Sequence, residues 1–233
     1  MNMQSSQSFG NVVSTDAIRT YVQQVYAWMT GGLLITGVTA FGISQSPSIL
    51  AAIFGTPLFW LVLFAPLGMV LFLTSRIDTM KPSTAAGTFI AYAFVNGLSF
   101  SVLFMIYELG SIFQVFVIAA GMFAGAAAYG FFTKRDLRSM GSFLFMGLIG
   151  VIIASVVNIF LQSSALEFAV SLIGVAVFTG LTAYDMSRMK DQAIVMYAGE
   201  GLAQKRAIIG ALSLYLNFVN LFLFLLRLLG SRK

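Results

Sequence analysis

The amino-acid sequence predicts an all-α integral membrane protein with seven transmembrane helices, and three observations support this fold class. Hydrophobic residues make up 59% of the 233 positions and charged residues only 9%, whereas a soluble domain carries about 25% charged residues. The mean hydropathy is +0.93. The few charges divide the chain into apolar segments near the length of about 20 residues that a spanning helix needs. Most of the surface is therefore expected to contact lipid.

The predicted spans follow from the distribution of these charges. The segment from Thr20 to Ser75 carries no charge and is long enough for two spans, which the polar turn from Ser44 to Ser48 separates. The other five predicted spans are Pro82–Tyr107, Leu109–Thr133, Ser139–Leu166, Phe168–Tyr184 and Ala207–Leu226. Residues 21–233 are thus expected to form a single seven-helix membrane domain, preceded by a polar, disordered tail over residues 1–20 without the apolar core of a cleavable signal peptide.

Lysine and arginine are concentrated in alternate connections of this arrangement. Ten of the 13 basic residues precede the first span or lie in the second-to-third, fourth-to-fifth and sixth-to-seventh connections. The positive-inside rule therefore predicts a cytoplasmic N-terminus. The remaining three, Arg227, Arg232 and Lys233, are predicted to lie outside. A last segment that re-enters the membrane instead of crossing it would leave them in the cytoplasm.

The residue types that are absent exclude several classes of function. The sequence contains no cysteine and no histidine, which excludes disulfide bonds, thiolate metal sites and a histidine general base. The formal net charge of +5 is explained by the basic membrane-surface loops, and no nucleic-acid partner is expected.

Small residues mark the faces on which helices pack in lipid. Gly121, Gly125 and Gly130 recur along the fourth predicted span, and Gly174 and Gly180 along the sixth. Packing within one chain is the favoured interpretation, because seven helices must pack against one another. A dimer contact is the alternative.

The last predicted helix carries a polar face. Ser213, Asn217, Asn220 and Arg227 are separated by four, three and seven residues, a spacing that aligns them on one side of a helix. Polar groups inside a membrane face protein or a water-filled cavity rather than lipid. Hydrogen bonding between helices and a conduction path are equally open at this point.

Asp185 directly follows the last residue of the sixth predicted span, at the predicted cytoplasmic C-terminal end of that helix. A carboxylate at the C-terminal end of a helix is opposed by the helix dipole. Arg188 or Arg76 is expected to compensate this charge. Asp185 is either a structural charge at the membrane boundary or a gating or ion-binding acid.

Three stretches of the sequence resemble the Bax inhibitor family, also called the transmembrane Bax inhibitor motif proteins. They are "FTGLTAYDMSRMK" at 178–190, "FTKRDLRSMGSFLFMGLIGVIIASVVNIF" at 132–160 and "ALSLYLNFVNLFLFLLRLLG" at 211–230. The short polar N-terminus and compact loops resemble bacterial members, located in the plasma (inner) membrane. The resemblance implies a central last helix wrapped by two three-helix layers, and a pH-sensitive calcium leak. In eukaryotic members it also implies suppression of cell death.

The family's proposed pH sensor is a pair of aspartates held by an arginine. By resemblance, Asp185 matches the first aspartate and Arg76 the arginine, while the second aspartate is replaced by Asn217. Two carboxylates in contact share a proton and titrate as a pair, and Asn217 removes that behaviour. Asn217 still offers a hydrogen bond to Asp185 and an amide oxygen to calcium. With a last span that starts at Ala207, Asn217 would lie roughly 15 Å deep, whereas a start near Ser213 brings it level with Asp185.

The resulting functional prediction is a pH-influenced calcium or cation leak channel. Asp185 is the gate acid and candidate calcium ligand, beside Asn217 and Arg76. No cofactor other than this calcium ion is expected. The alternative is a non-conducting membrane regulator that binds a membrane protease or another membrane-protein partner. An enzyme is not expected, because an intramembrane aspartyl protease needs a second acid within the membrane.

Overall fold

The computed structural model describes the backbone of residues 3–195 and 200–233, and the side chains of residues 18–191 and 203–233. Within these ranges the regular secondary structure is helical, apart from an isolated β-bridge between Tyr107 and Arg232. The helices are α1 (Met3–Ser44), α2 (Pro47–Phe54), α3 (Leu58–Arg76), α4 (Pro82–Phe100), α5 (Leu103–Ile106), α6 (Leu109–Phe132), α7 (Arg138–Leu161), α8 (Ser164–Val195) and α9 (Glu200–Leu229).

Seven helical segments of the described chain are long and apolar enough to cross a membrane. They are Ile18–Ser44, Leu58–Arg76, Pro82–Ile106, Leu109–Phe132, Arg138–Leu161, Ser164–Asp191 and Ala203–Leu229. Their lengths of 19 to 28 residues match the span of about 20 residues that the hydrocarbon core requires. The prediction of an all-α protein with seven transmembrane helices is confirmed.

Many large apolar side chains of these segments are exposed. Phe160 is 81% exposed, Phe132 77% and Phe143 70%. An exposed apolar surface of this extent would cause aggregation in water, whereas in a bilayer the same side chains contact lipid acyl chains. The protein is therefore surrounded by lipid.

The second predicted span does not begin directly after the turn at Ser44–Ser48. A short helix, α2, forms first and ends at Phe54, and α3 begins at Leu58. The break falls at Thr56–Pro57, because the residue before a proline is disfavoured in helical conformation. Pro57 itself precedes α3 as its N-cap.

α8 is longer than predicted at both ends, running from Ser164 to Val195 instead of from Phe168 to Tyr184. The prediction that Asp185 ends this helix is therefore wrong. The residues after Asp185 include several charged and polar side chains, but most of them form helix readily, so the helix continues about 15 Å beyond Asp185. The helix dipole acts within the last turn and does not oppose this carboxylate. Glu167, predicted in a loop, lies in the first turn of α8, where the dipole favours an acid.

The helix α1 begins at Met3, so its backbone includes most of the polar stretch 1–20 that the sequence predicted to be disordered. The side chains of residues 1–17 lie outside the described part of the chain. The tail and the domain boundary at residue 21 stay predictions.

The chain divides into two compact units. The first contains residues 1–102 and 189–212, and the second contains residues 103–188 and 213–233. α8 and α9 each contribute to both units. This division does not test the prediction of a single membrane domain over residues 21–233.

In the first unit, α4 packs against α1 and α3. The Thr36 hydroxyl donates a hydrogen bond of 2.8 Å to the Ala93 carbonyl oxygen, which joins α1 to α4. The Ser99 hydroxyl donates one of 2.8 Å to the Val62 carbonyl oxygen, which joins α4 to α3. Such hydrogen bonds replace the hydrophobic effect as a source of helix association in lipid.

In the second unit, glycines allow helices to approach closely at some of the predicted positions. A Cβ on Gly130 of α6 would collide with the backbone carbonyl of Ala183 in α8, and one on Gly174 would meet the Phe224 ring of α9 at 2.7 Å. The interpretation as packing within one chain is supported for these two glycines. It is wrong for Gly121 and Gly125, where a Cβ would meet nothing within 4 Å.

The C-terminal residues pair with the connection before α6. The backbone N–H of Glu108 donates to the Ser231 carbonyl oxygen at 3.0 Å, and that of Lys233 donates to the Ile106 carbonyl oxygen at 2.9 Å. The Arg232 guanidinium contacts the Glu167 carboxylate at 3.2 Å. The tail therefore follows the end of α9 that lies away from the basic sixth-to-seventh connection, and α9 is one continuous helix long enough to cross the membrane instead of re-entering it.

α9 is the most enclosed of the seven spans. In its most apolar window 72% of residues are buried, against 39% for α8, the next highest. This agrees with the central last helix that the family resemblance implies. Polar side chains on such an enclosed helix must face protein groups or a cavity.

Candidate functional site

Asp185 accepts two hydrogen bonds from α9 through a single carboxylate oxygen. The Ser213 hydroxyl and the Asn217 side-chain amide each donate to Oδ2, both at 2.7 Å. Ser213 and Asn217 are four residues apart and so lie on one helical face. The structure thus brings together Asp185 and Asn217, as the sequence predicted. Asp185 lies level with Asn217 because α8 continues past Asp185 to Val195. The alternative explanation, a last span that starts near Ser213, is wrong, since α9 begins at Glu200.

Small residues allow the neighbouring helices to approach α8 beside Asp185. Gly130 of α6 lies against the Ala183 carbonyl, and Gly141 of α7 lies against the Tyr184 ring. Both contacts leave no room for a Cβ atom. The position of the carboxylate is therefore determined by packing on both of these sides and by hydrogen bonds from α9.

A cavity of about 940 Å³ adjoins the acid and lies wholly within the second unit. Its walls come from α7, α8 and α9. On α7 its lining runs from Gly141 to Val156, and on α9 from Ser213 to Arg227, which corresponds to about 20 Å along each helix. The hydrocarbon core of a bilayer is about 30 Å thick, so the cavity follows much of that depth.

The polar face of α9 lines this cavity. Ser213, Asn217, Asn220 and Arg227 all contribute to its wall, as does Asp185. The Asn220 amide donates to the Leu216 carbonyl oxygen of its own helix at 2.8 Å. The side chains opposite are mostly apolar, including Phe145 and Ile152 of α7. A largely apolar cavity with a few convergent polar groups is typical of a binding or conduction site.

A second cavity of about 410 Å³ continues toward the other end of the unit. It shares Ser155 and Arg227 with the first cavity. Its remaining polar lining is Asn158, Gln162 and Glu167. The two cavities therefore provide a series of polar groups from Asp185 to the first turn of α8.

Two arginines were proposed as partners of Asp185. Arg188 lies one turn further along α8, is exposed, lines the larger cavity and interacts electrostatically with Asp185. Arg76 is the last residue of α3, in the first unit, whereas Asp185 belongs to the second. The pairing of Arg76 with Asp185 stays a prediction.

The sequence prediction did not include the polar lining of α7. Ser155 and Asn158 are three residues apart on this helix, and that spacing was the available signal. Gln162 follows the last residue of α7 as its C-cap. Asn158 accepts a hydrogen bond of 3.0 Å from the Ser163 backbone N–H and so closes the end of α7.

The donor set at Asp185 limits how a cation can bind. Within the described residues, no three carboxylate, histidine or cysteine side chains form a metal-binding group. Calcium takes six to eight oxygen ligands, and the side chains here supply one carboxylate, one hydroxyl and one amide. Most of the coordination shell would therefore be water. Such a site suits a hydrated cation in transit better than a resident ion.

Comparison with known proteins gives consistent matches along the whole membrane region. The sequence model described as "Inhibitor of apoptosis-promoting Bax1" matches residues 18–233. The "Inner membrane protein YbhL" of Escherichia coli strain K12 is 41% identical over 218 residues, covering 93% of each chain. The "Uncharacterized protein RP147" of Rickettsia prowazekii is 43% identical over 223 residues, covering 96% of this chain and 94% of the relative.

Proposed function

This chain belongs to the Bax inhibitor family and is an integral protein of the bacterial inner membrane, and on that premise we propose that it is a pH-influenced leak channel for calcium and other cations. Asp185 is the gate acid, meaning the carboxylate to which a cation binds as it passes. Asn217 is a polar ligand beside it, and Arg76 is a further partner. The function includes no catalytic step.

The observation that supports conduction is the pair of cavities that share Ser155 and Arg227. Lipid-facing helices of a purely structural bundle do not need an internal polar face. Here the polar face of α9 borders a cavity about 20 Å long. Water in such a cavity would solvate an ion at a depth where lipid would not.

The chemistry of Asp185 favours a cation over an anion. Both donors of α9 bind Oδ2, and within the described side chains no donor binds Oδ1. Oδ1 of the ionised carboxylate is therefore available to a cation. Ser213 and Asn217 fix the acid through short hydrogen bonds to its charged form, which are among the stronger ones in proteins.

The pH influence arises from a single acid. Asn217 does not titrate, so the cooperative behaviour of a carboxylate pair is absent. Protonation neutralises Asp185 and removes its attraction for a cation. Flux is therefore expected to fall as the pH decreases through the range in which this group titrates.

Calcium flux into vesicles that contain the purified full-length protein tests this function. Asp185→Asn keeps the shape of the side chain and removes its charge, so flux at neutral pH is expected to fall about tenfold or more and to lose its pH dependence. Asp136→Asn is the matched control, because Asp136 lies in the exposed connection between α6 and α7 and lines neither cavity. No flux above empty vesicles at any pH would reject the channel and favour the non-conducting regulator, which predicts a co-purifying membrane protein.

A further inference from the structure

Arg227 lies where the two cavities meet. It lines both of them, together with Ser155. It is ten residues after Asn217 on the same face of α9, which corresponds to about 15 Å along the helix axis. A cation that passes from Asp185 through both cavities must therefore pass the Arg227 guanidinium.

The Arg227 charge is not neutralised by a carboxylate of the described residues. Its guanidinium carbon lies 5.4 Å from the centre of the Phe224 ring, a cation–π contact that leaves the positive charge in place. Arg232, five residues later, contacts Glu167 at 3.2 Å. Arg232 is thus paired with an acid, whereas Arg227 presents its charge to both cavities.

A positive charge beside an ion path repels cations more strongly where water is scarce. The repulsion between two charges increases as the effective dielectric constant decreases, and arginine serves as an electrostatic barrier in other membrane pores. The surroundings of Arg227 are partly apolar, since Phe224, Ile159 and Val170 also line these cavities. The barrier is largest for a divalent cation.

We propose that Arg227 is the electrostatic barrier that limits cation passage between the two cavities, an inference that rests on the proposed leak function. Asp185 then provides the site of attraction, and Arg227 keeps the resting leak small. The competing explanation is that Arg227 only anchors the end of α9 at the membrane surface, where long basic side chains extend toward water.

The absence of cysteine from the chain allows a direct test, because Arg227→Cys introduces the only thiol. Calcium flux into vesicles is measured for the wild type and for this variant. The variant is then treated with membrane-impermeant methanethiosulfonates that carry either a trimethylammonium or a sulfonate group. The Cys thiolate attacks the reagent sulfur, forms a mixed disulfide and releases methanesulfinate, so that a charge of either sign is attached at the same position.

Arg227→Cys is expected to raise calcium flux about tenfold or more, because a repulsive charge is removed from the path. The trimethylammonium reagent is expected to restore low flux, and the sulfonate reagent to leave it high. Arg227→Lys, which retains the charge, is expected to keep the low flux of the wild type and shows that the position tolerates substitution. Lys134→Cys is the matched control, because Lys134 is an exposed basic residue that lines neither cavity, and neither reagent is expected to change its flux.

The outcomes separate this inference from the function on which it rests. If the wild type conducts and Arg227→Cys conducts equally, with no response to the charge of the reagent, the barrier is rejected and the leak channel stands. If the wild type does not conduct at any pH but Arg227→Cys does, the barrier is supported and the resting leak is rejected. If neither conducts, both are rejected.

Discussion

Asp185 and Arg227 lie toward opposite ends of the larger cavity, carry opposite charges and are held in different ways. At one end, Asp185 accepts hydrogen bonds of 2.7 Å from Ser213 and Asn217, and tight contacts of Ala183 and Tyr184 fix the helix around it. At the other end, Arg227 has a flexible side chain over the Phe224 ring at 5.4 Å. The acid has a position determined by packing, whereas the arginine keeps several rotatable bonds.

This difference indicates where selection and control can reside. A rigid carboxylate with an available oxygen discriminates by charge and geometry, because its position does not adapt to the ion. A long basic side chain changes its distance from the path at low energetic cost, and electrostatic repulsion depends directly on that distance. In the proposed channel, the Asp185 end selects the ion and the Arg227 end controls its passage.

The largest expected effect comes from displacing the Asp185 end without changing its charge. Gly130→Leu forces a side chain against the Ala183 carbonyl, two residues before Asp185. We expect a loss of about 1–3 kcal/mol or more in the free energy of unfolding, measured by thermal denaturation in detergent. Gly125→Leu on the same helix is the control and should change it by about 0.5 kcal/mol or less, because a Cβ there meets nothing within 4 Å. Equal losses in the two variants would contradict the close α6–α8 contact.

An intermediate effect is expected from adding a second acid at the rigid end. Asn217→Asp brings two carboxylates within hydrogen-bonding distance, so the pair shares a proton and its titration becomes coupled. Calcium flux into vesicles should become more steeply dependent on pH, because loss of the shared proton leaves two negative charges to attract the cation. Asn220→Asp adds the same charge to the same face, but the Asn220 amide bonds the Leu216 carbonyl of its own helix and not Asp185. Identical pH profiles for the two variants would argue against the Asp185–Asn217 contact as the pH-sensitive element.

The smallest effect is expected at the paired arginine. Glu167→Gln removes the acid that contacts Arg232 at 3.2 Å and makes Arg232 resemble Arg227. The contact with Tyr107 raises the pKa of Arg232 most, and the charge of Glu167 raises it further. Arg232 therefore stays protonated with or without the Glu167 carboxylate. The pair is exposed, so the free energy of unfolding should fall by less than about 1 kcal/mol. Thermal denaturation at low and high salt measures this change, and Glu108→Gln is the control. A fall of about 2 kcal/mol or more would show that the pair matters more than solvent screening allows.

The seven spans were predictable from the sequence because hydropathy and charge report directly on contact with lipid. The ends of the helices were less predictable. α8 continues through Arg188 and Lys190 to Val195, since helical hydrogen bonding persists in water after the apolar segment has ended. The break between α2 and α3 depends on backbone restriction before Pro57, which hydropathy does not register.

The Asp185–Asn217 contact was predictable only in part. The polar spacing on the last helix and the family resemblance pointed to both residues, but the depth of Asp185 required the true length of α8. Ser213 was recognised as part of the polar face and not as a hydrogen-bond donor to Asp185. The role of Arg227 depends on two cavities formed by three helices, and a one-dimensional pattern does not contain that information.

The pairing of the last three residues with the connection before α6 has a practical consequence for experiments on membrane topology. Lys233 uses its backbone N–H to bind the Ile106 carbonyl oxygen and its ammonium group to bind the Phe104 carbonyl oxygen. A reporter enzyme or affinity tag fused directly to Lys233 would start inside this pairing and compete with it. Fusions that locate the C-terminus therefore need a flexible spacer, and a tag at the N-terminus avoids this contact altogether.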